Sequence, residues 1–143
     1  RGRRHAVDDP GAGPGARGDR EGNLVKALPT TCPLNVAGID NPDQAAGNAR
    51  HLYAIQFGGP DQTLRIQFQH GPRGGEGSKA GIFEDALLAI LEDRLRGFQS
   101  GEFACEENAV ALQAVKEARL ALDMRVAKRM AQNVLGVNEK HNS

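Results

Sequence analysis

Arg125 and Arg129 stand four residues apart in a stretch patterned as a helix, so both project from one helical face. Arg119 and Lys116 lie one turn and more earlier on the same stretch. A guanidinium grips a phosphate through two parallel N–H bonds, so a basic row of this kind suits an anionic ligand. Phe98 falls at the end of a preceding helical pattern, where its ring face is suited to stack on a nucleobase. Asn108, at the start of the basic helix, has the donor and acceptor to read a base edge or a ribose. Each has a plainer reading as well. Arginine on a helix usually belongs to a solvated face, and a terminal Phe usually belongs to a core.

Catalytic inventories are missing from the sequence. It carries no Gly-Lys-Ser/Thr phosphate loop, no Gly-x-Ser-x-Gly elbow and no His-Glu-x-x-His. Gly74-Gly75-Glu76-Gly77 is glycine-rich but has no Lys after it, which makes it weak evidence for phosphate contact. His5, His51, His70 and His141 are scattered and read as solvent-facing or structural, so no metal site is expected. Cys32 and Cys105 are too few to staple a chain of 143 residues and read as free thiols in a reducing cytosol. The inventory therefore favours a binding protein over an enzyme, with no cofactor.

The elements that position these residues follow from periodicity. All seven prolines precede Arg73, which leaves the second half free to be helical. Leu87, Leu88, Leu91, Leu95 and Phe98 recur on one face of a 3.6-residue period and predict a helix over 83–99, ended by Ser100-Gly101. Leu112, Val115, Leu122, Val126 and Met130 predict a second helix over 105–133, with Asn133 as a left-handed terminus. The short loop between them makes an antiparallel helical hairpin. Upstream, residues 51–69 alternate about the turn Gly58-Gly59-Pro60-Asp61-Gln62 and predict a β-hairpin. Leu64, Ile66 and Phe68 take one face, and Arg65, Gln67 and Gln69 the other. Gly71 to Gly77 read as a flexible connector.

The fold class expected is thus α+β: an N-terminal antiparallel β-hairpin or small sheet packed on a C-terminal antiparallel two-helix hairpin. Residues 49–143 form the domain. Residues 1–48 read as a disordered or poorly structured extension, since 1–22 are Arg- and Gly-rich and 24–48 are broken by Pro29, Pro33 and Pro42. The chain starts at Arg1 with no Met, as a trimmed or incomplete reading frame would, and its Gly- and Pro-rich start is not expected to act as a secretory leader. No apolar run approaches the roughly 18 residues of a membrane span. A formal net charge of zero gives no sign of a nucleic-acid polymer or an anionic membrane as partner. Two helices and a hairpin make a thin fold, whose long apolar stripe calls for self-association.

Three segments then acquire a common meaning. Ile66-Gln67-Phe68-Gln69-His70-Gly71-Pro72, the stretch from Leu87 through Asp93-Arg94-Leu95-Arg96-Gly97-Phe98-Gln99, and Phe103 to Ala109 resemble the first-described anti-Thoeris family of phages. Lys116 to Leu122 and Arg125-x-x-x-Arg129 resemble the helical hairpin that this family shares with a phage anti-CBASS sponge. The likeness runs from about Arg50 to His141.

The resemblance implies a protein in the cytoplasm of the infected host that sequesters a cyclic ADP-ribose isomer and so silences a Thoeris effector. It implies a homo-oligomer, a dimer or a hexamer, and some such hexamers also hold cyclic trinucleotides of CBASS defence. Carried over by position, the ligand-binding residues are Phe98, Asn108, Arg125, Arg129 and Arg73. Two positions depart from the pattern. Gln132-Asn133-Val134-Leu135-Gly136-Val137 lacks a cation and a hydroxyl, and Phe83 stands where a capping threonine is common. The alternatives of another class are a helical-hairpin oligomerisation module and an enzyme that degrades the signal.

Overall fold

Four short strands lie side by side in chain order. β1 (Lys26–Leu28), β2 (Asn35–Gly38), β3 (Leu52–Gln56) and β4 (Thr63–Gln67) form an antiparallel meander. Two helices follow, α1 (Glu84–Gln99) and α2 (Glu106–Ala131). The computed structural model describes residues 25–59 and 61–132.

Register follows from alternation. Tyr53 faces Ile66, Ile55 faces both Leu64 and Val36, and Val36 faces Leu28, which gathers these apolar residues on one side of the sheet. Ala54 and Arg65 pair on the other side. The β3–β4 turn closes where the Phe57 N–H donates to the Gln62 carbonyl at 3.1 Å. The predicted hairpin over 51–69 is therefore present. The sheet also takes in residues 26–38, which the sequence reading had placed in a poorly structured extension. Strands of three and four residues carry too little alternation to announce themselves, and they form by pairing, β2 on β3 and β1 on β2. Residues 1–24 lie outside the described part.

The connector after β4 is an ordered loop rather than a loose tether. It leaves and returns to the sheet, with His70 and Lys79 exchanging backbone hydrogen bonds of 2.9 Å. Gly71, Gly74 and Gly77 take positive φ, as their residue type allows. Gly81 is needed for another reason. A Cβ there would come within 2.4 Å of the Gln67 carbonyl oxygen, and only glycine lets the chain pass close enough for Ile82 to bond Gln67.

Each helix matches its expected span to within two residues. Phe83 caps α1 with no side-chain hydrogen bond, the weak cap anticipated. The Cys105 sulfur caps α2 by accepting from the Asn108 N–H at 3.4 Å. α2 ends with Gln132 as its cap, and Asn133 lies outside the described residues. The facing residues alternate in steps of three and four: Asp85, Leu88, Glu92, Leu95 and Gln99 on α1, and Leu112, Val115, Arg119 and Leu122 on α2. That is the spacing of a coiled-coil seam. Arg119 crosses it, donating to Asp85 at 3.0 Å and to Glu92 at 2.7 Å. Glu92 also accepts from Arg96.

The helices pack on each other and the strands pair with one another, but no strand comes within packing distance of either helix. The stacking of sheet on helical hairpin expected from the sequence is thus not found within one chain. Accordingly, no apolar side chain among the described residues is fully buried. Leu91, Val110, Leu120, Met124 and Met130 stand about half or more exposed on the helices, and Phe57 and Leu64 on the sheet.

Candidate functional site

The hairpin sorts the residues singled out in the sequence into two groups. Phe98 and Asn108 sit near the loop that joins the helices. Arg125 and Arg129 sit in the last turns of α2, beyond the seam with α1. α2 has 26 residues and α1 has 16, so α2 overhangs by roughly 15 Å at about 1.5 Å per residue. Seventeen positions separate Asn108 from Arg125 along one unbroken helix, which places them roughly 25 Å apart. A single chain does not bring the two groups together.

Local contacts tune each group. The Arg94 guanidinium lies over the Phe98 ring, 5.4 Å from its centroid, and covers one ring face. The Asn108 Nδ2 donates to the Phe103 carbonyl at 3.4 Å, which leaves its Oδ1 as an acceptor. Arg125 is exposed and makes no ion pair among the described residues; Arg129 is half-buried. Arg73 reaches across the connector to the Phe83 ring, 5.8 Å from its centroid, at the start of α1. In an antiparallel hairpin that is the end from which Arg125 and Arg129 project.

Arg119 does not join the basic row that the sequence suggested. Its hydrogen bonds with Glu92 and Asp85 raise its pKa further and commit it to the seam. The same bonds from Arg119, then Arg96, hold the Glu92 carboxyl below its ordinary range against the opposing effect of burial.

One cluster was not legible in the sequence. His51, the one buried polar residue among the described residues, stacks on His70 with ring centroids 4.0 Å apart and planes 11° from parallel. Both Nε2 atoms meet the same oxygen, Oδ2 of Asp43, at 3.3 and 3.0 Å. Two of the four histidines taken as scattered are thus brought together by the pairing of β3 with β4 and by the loop that precedes β3, and His5 and His141 lie outside the described residues. Only a register, which linear spacing does not reveal, makes them neighbours.

Comparison with known proteins accords with this architecture. Residues 60–127, from the β3–β4 turn through most of α2, match the family model described as the Acb2/Tad1 hairpin domain. This stretch is similar to the Acb2/Tad1 hairpin domain. A relative named Thoeris anti-defense 1, from Bacillus phage SBSphiJ7, is 36% identical over 94 residues. The match covers 66% of this chain, and the chain spans 64% of that relative's length. The matched stretch holds Phe98, Asn108 and Arg125, and Arg129 lies just beyond its end. No helix among the described residues is long and apolar enough to cross a membrane.

Proposed function

We propose that this protein is a phage anti-defence sponge: it binds a cyclic ADP-ribose isomer and withholds it from a Thoeris effector, without chemical change. The observation that carries the reading is the match of residues 60–127 to the Acb2/Tad1 hairpin domain, with Phe98 and Asn108 at one end of the helical hairpin and Arg125, followed by Arg129 just past the match, at the other. The name of the Bacillus phage relative points to the same defence system.

Capture follows from the side chains. Arg125 and Arg129 clamp the phosphates, with Arg73 adding a third guanidinium from the connector. The base stacks on the Phe98 face opposite Arg94, and Asn108 Oδ1 accepts from an exocyclic amine or a ribose hydroxyl. Because roughly 25 Å separates Asn108 from Arg125 in one chain, the pocket is built from two chains with opposed ends, and a homodimer is its smallest unit. The apolar helix surfaces left uncovered in one chain supply the contact that holds such chains together. A nanomolar constant, worth about −12 kcal/mol, is within reach of charge-assisted bonds and stacking in a dry pocket. The reading assigns no bond-breaking step.

Calorimetric titration with a cyclic ADP-ribose isomer tests this. Saturable binding at one ligand per two chains, or one per chain in a dimer with two equivalent pockets, is the expected result. Tighter binding of a cyclic trinucleotide would move the protein to CBASS signals. Failure of both ligands would leave the helical hairpin as an oligomerisation module.

A further inference from the structure

We infer that Asp43, His51 and His70 form a binding site for a divalent transition-metal ion of the zinc type at the edge of the sheet. The inference stands apart from the sponge reading, since none of the three residues belongs to the helical hairpin.

Three observations carry it. One oxygen-donor and two imidazole donor atoms lie within 4.8 Å of one another, a set of two histidines and a carboxylate. Ligand bonds of about 2.0–2.1 Å set the edges of a coordination polyhedron at about 3.0–3.4 Å. The Asp43 Oδ2 to His Nε2 separations, 3.0 and 3.3 Å, are edges of that length.

Each ligand is also held from behind by its own backbone. Asp43 caps a 3₁₀ turn (Gln44–Ala46) and accepts from the Ala45 N–H through Oδ1 at 2.9 Å, which aims Oδ2 at the histidines. The His51 N–H donates to Asp40 Oδ2 at 2.8 Å, and its carbonyl accepts from Phe68 at 2.7 Å. His70 is fixed by its two bonds to Lys79. The backbone thus holds the three residues together, and the imidazole rings, stacked with planes 11° from parallel, must turn for both Nε2 lone pairs to meet one ion.

The surroundings favour a cation. Asp40 puts a second carboxylate on the same loop, and its Oδ1 is buried with no hydrogen-bond partner. The donor set selects by type: imidazole with carboxylate suits zinc, cobalt and nickel over calcium or magnesium. Three protein ligands leave open positions, which water fills. An ion here staples the loop before β3, the start of β3 and the connector that carries Arg73.

The test uses the full chain without an affinity tag, stripped by chelator and dialysed against zinc, with bound metal measured by mass spectrometry. Cobalt(II) serves as a visible probe. We expect one zinc per chain, a d–d band with cobalt and a higher melting temperature with zinc. Asp43→Asn and His70→Gln should each weaken zinc binding at least about tenfold. The cobalt spectrum of the unaltered chain needs no variant to fold. Zinc uptake equal to that of the variants, or no cobalt band, would overturn the site and leave a hydrogen-bonded triad. A thiolate-to-cobalt charge-transfer band would overturn it too, by placing the ion on Cys32 or Cys105.

Discussion

At the scale of residues, the proposed capture rests on charge and on ring faces. Replacing both Arg125 and Arg129 with Ala should weaken binding of a cyclic ADP-ribose isomer by 10- to 100-fold or more, because each charged hydrogen bond is worth about 1.5–3 kcal/mol. The helical signal in circular dichroism should not change, since both residues lie beyond the seam. Calorimetry beside the dichroism spectrum checks this; equal affinity in the variant would remove the basic pair from the site. The types and the i, i+4 spacing of this pair were readable in the sequence. Arg119 was misleading there. The sequence placed it on the basic row, yet Arg119 lies about a quarter to a third of a turn away from Arg125 and Arg129 and meets Asp85 and Glu92 in the seam. His51 and His70 were missed because they are neighbours only through strand register.

Among the elements, the seam between α1 and α2 is the place where pH acts. The folded-state pKa of Glu92 is lowered by Arg119 and Arg96, so its contribution is fully present above the ordinary value of 4.5 and lost as pH falls through the depressed one. Glu92→Gln should therefore lower the melting temperature at neutral pH and converge with the unaltered chain in acid. Thermal melts from neutral pH down to 3 check it, and a constant difference at all pH values would contradict the linkage. The connector makes a separate prediction. Gly81→Ala drives a Cβ into the backbone of Gln67 and Phe68, and should cost about 2 kcal/mol, seen as a drop of several degrees in melting temperature. Both helices and the β3–β4 hairpin were legible because their periodicity runs for many residues or flanks a strong turn. β1 and β2 were not: they hold three and four residues and owe their form to pairing, β2 on β3 and β1 on β2.

For the whole molecule, sheet and hairpin lie apart among the described residues, and apolar side chains on both helices stand exposed. The sequence pointed to this, since a 26-residue amphipathic helix exceeds what one shorter partner covers. It did not show that the sheet would stand off from the helices. The separation of the two residue groups gives the two-chain pocket a direct check. Phe98→Ala/Asn108→Ala chains and Arg125→Ala/Arg129→Ala chains should each fail alone. Unfolded and refolded as an equal mixture, they should regain about a quarter of the original sites, because half the dimers are mixed and each mixed dimer has one intact pocket of two. No recovery on mixing would place the whole pocket in one chain.

The central claim is capture without chemistry. Purified protein is incubated with a cyclic ADP-ribose isomer, filtered to remove bound ligand, and heated to release it. A depleted filtrate followed by return of the intact molecule, judged by mass spectrometry, is the predicted result. A filtrate that still holds the free ligand, or a released molecule that has been cleaved, would contradict the account.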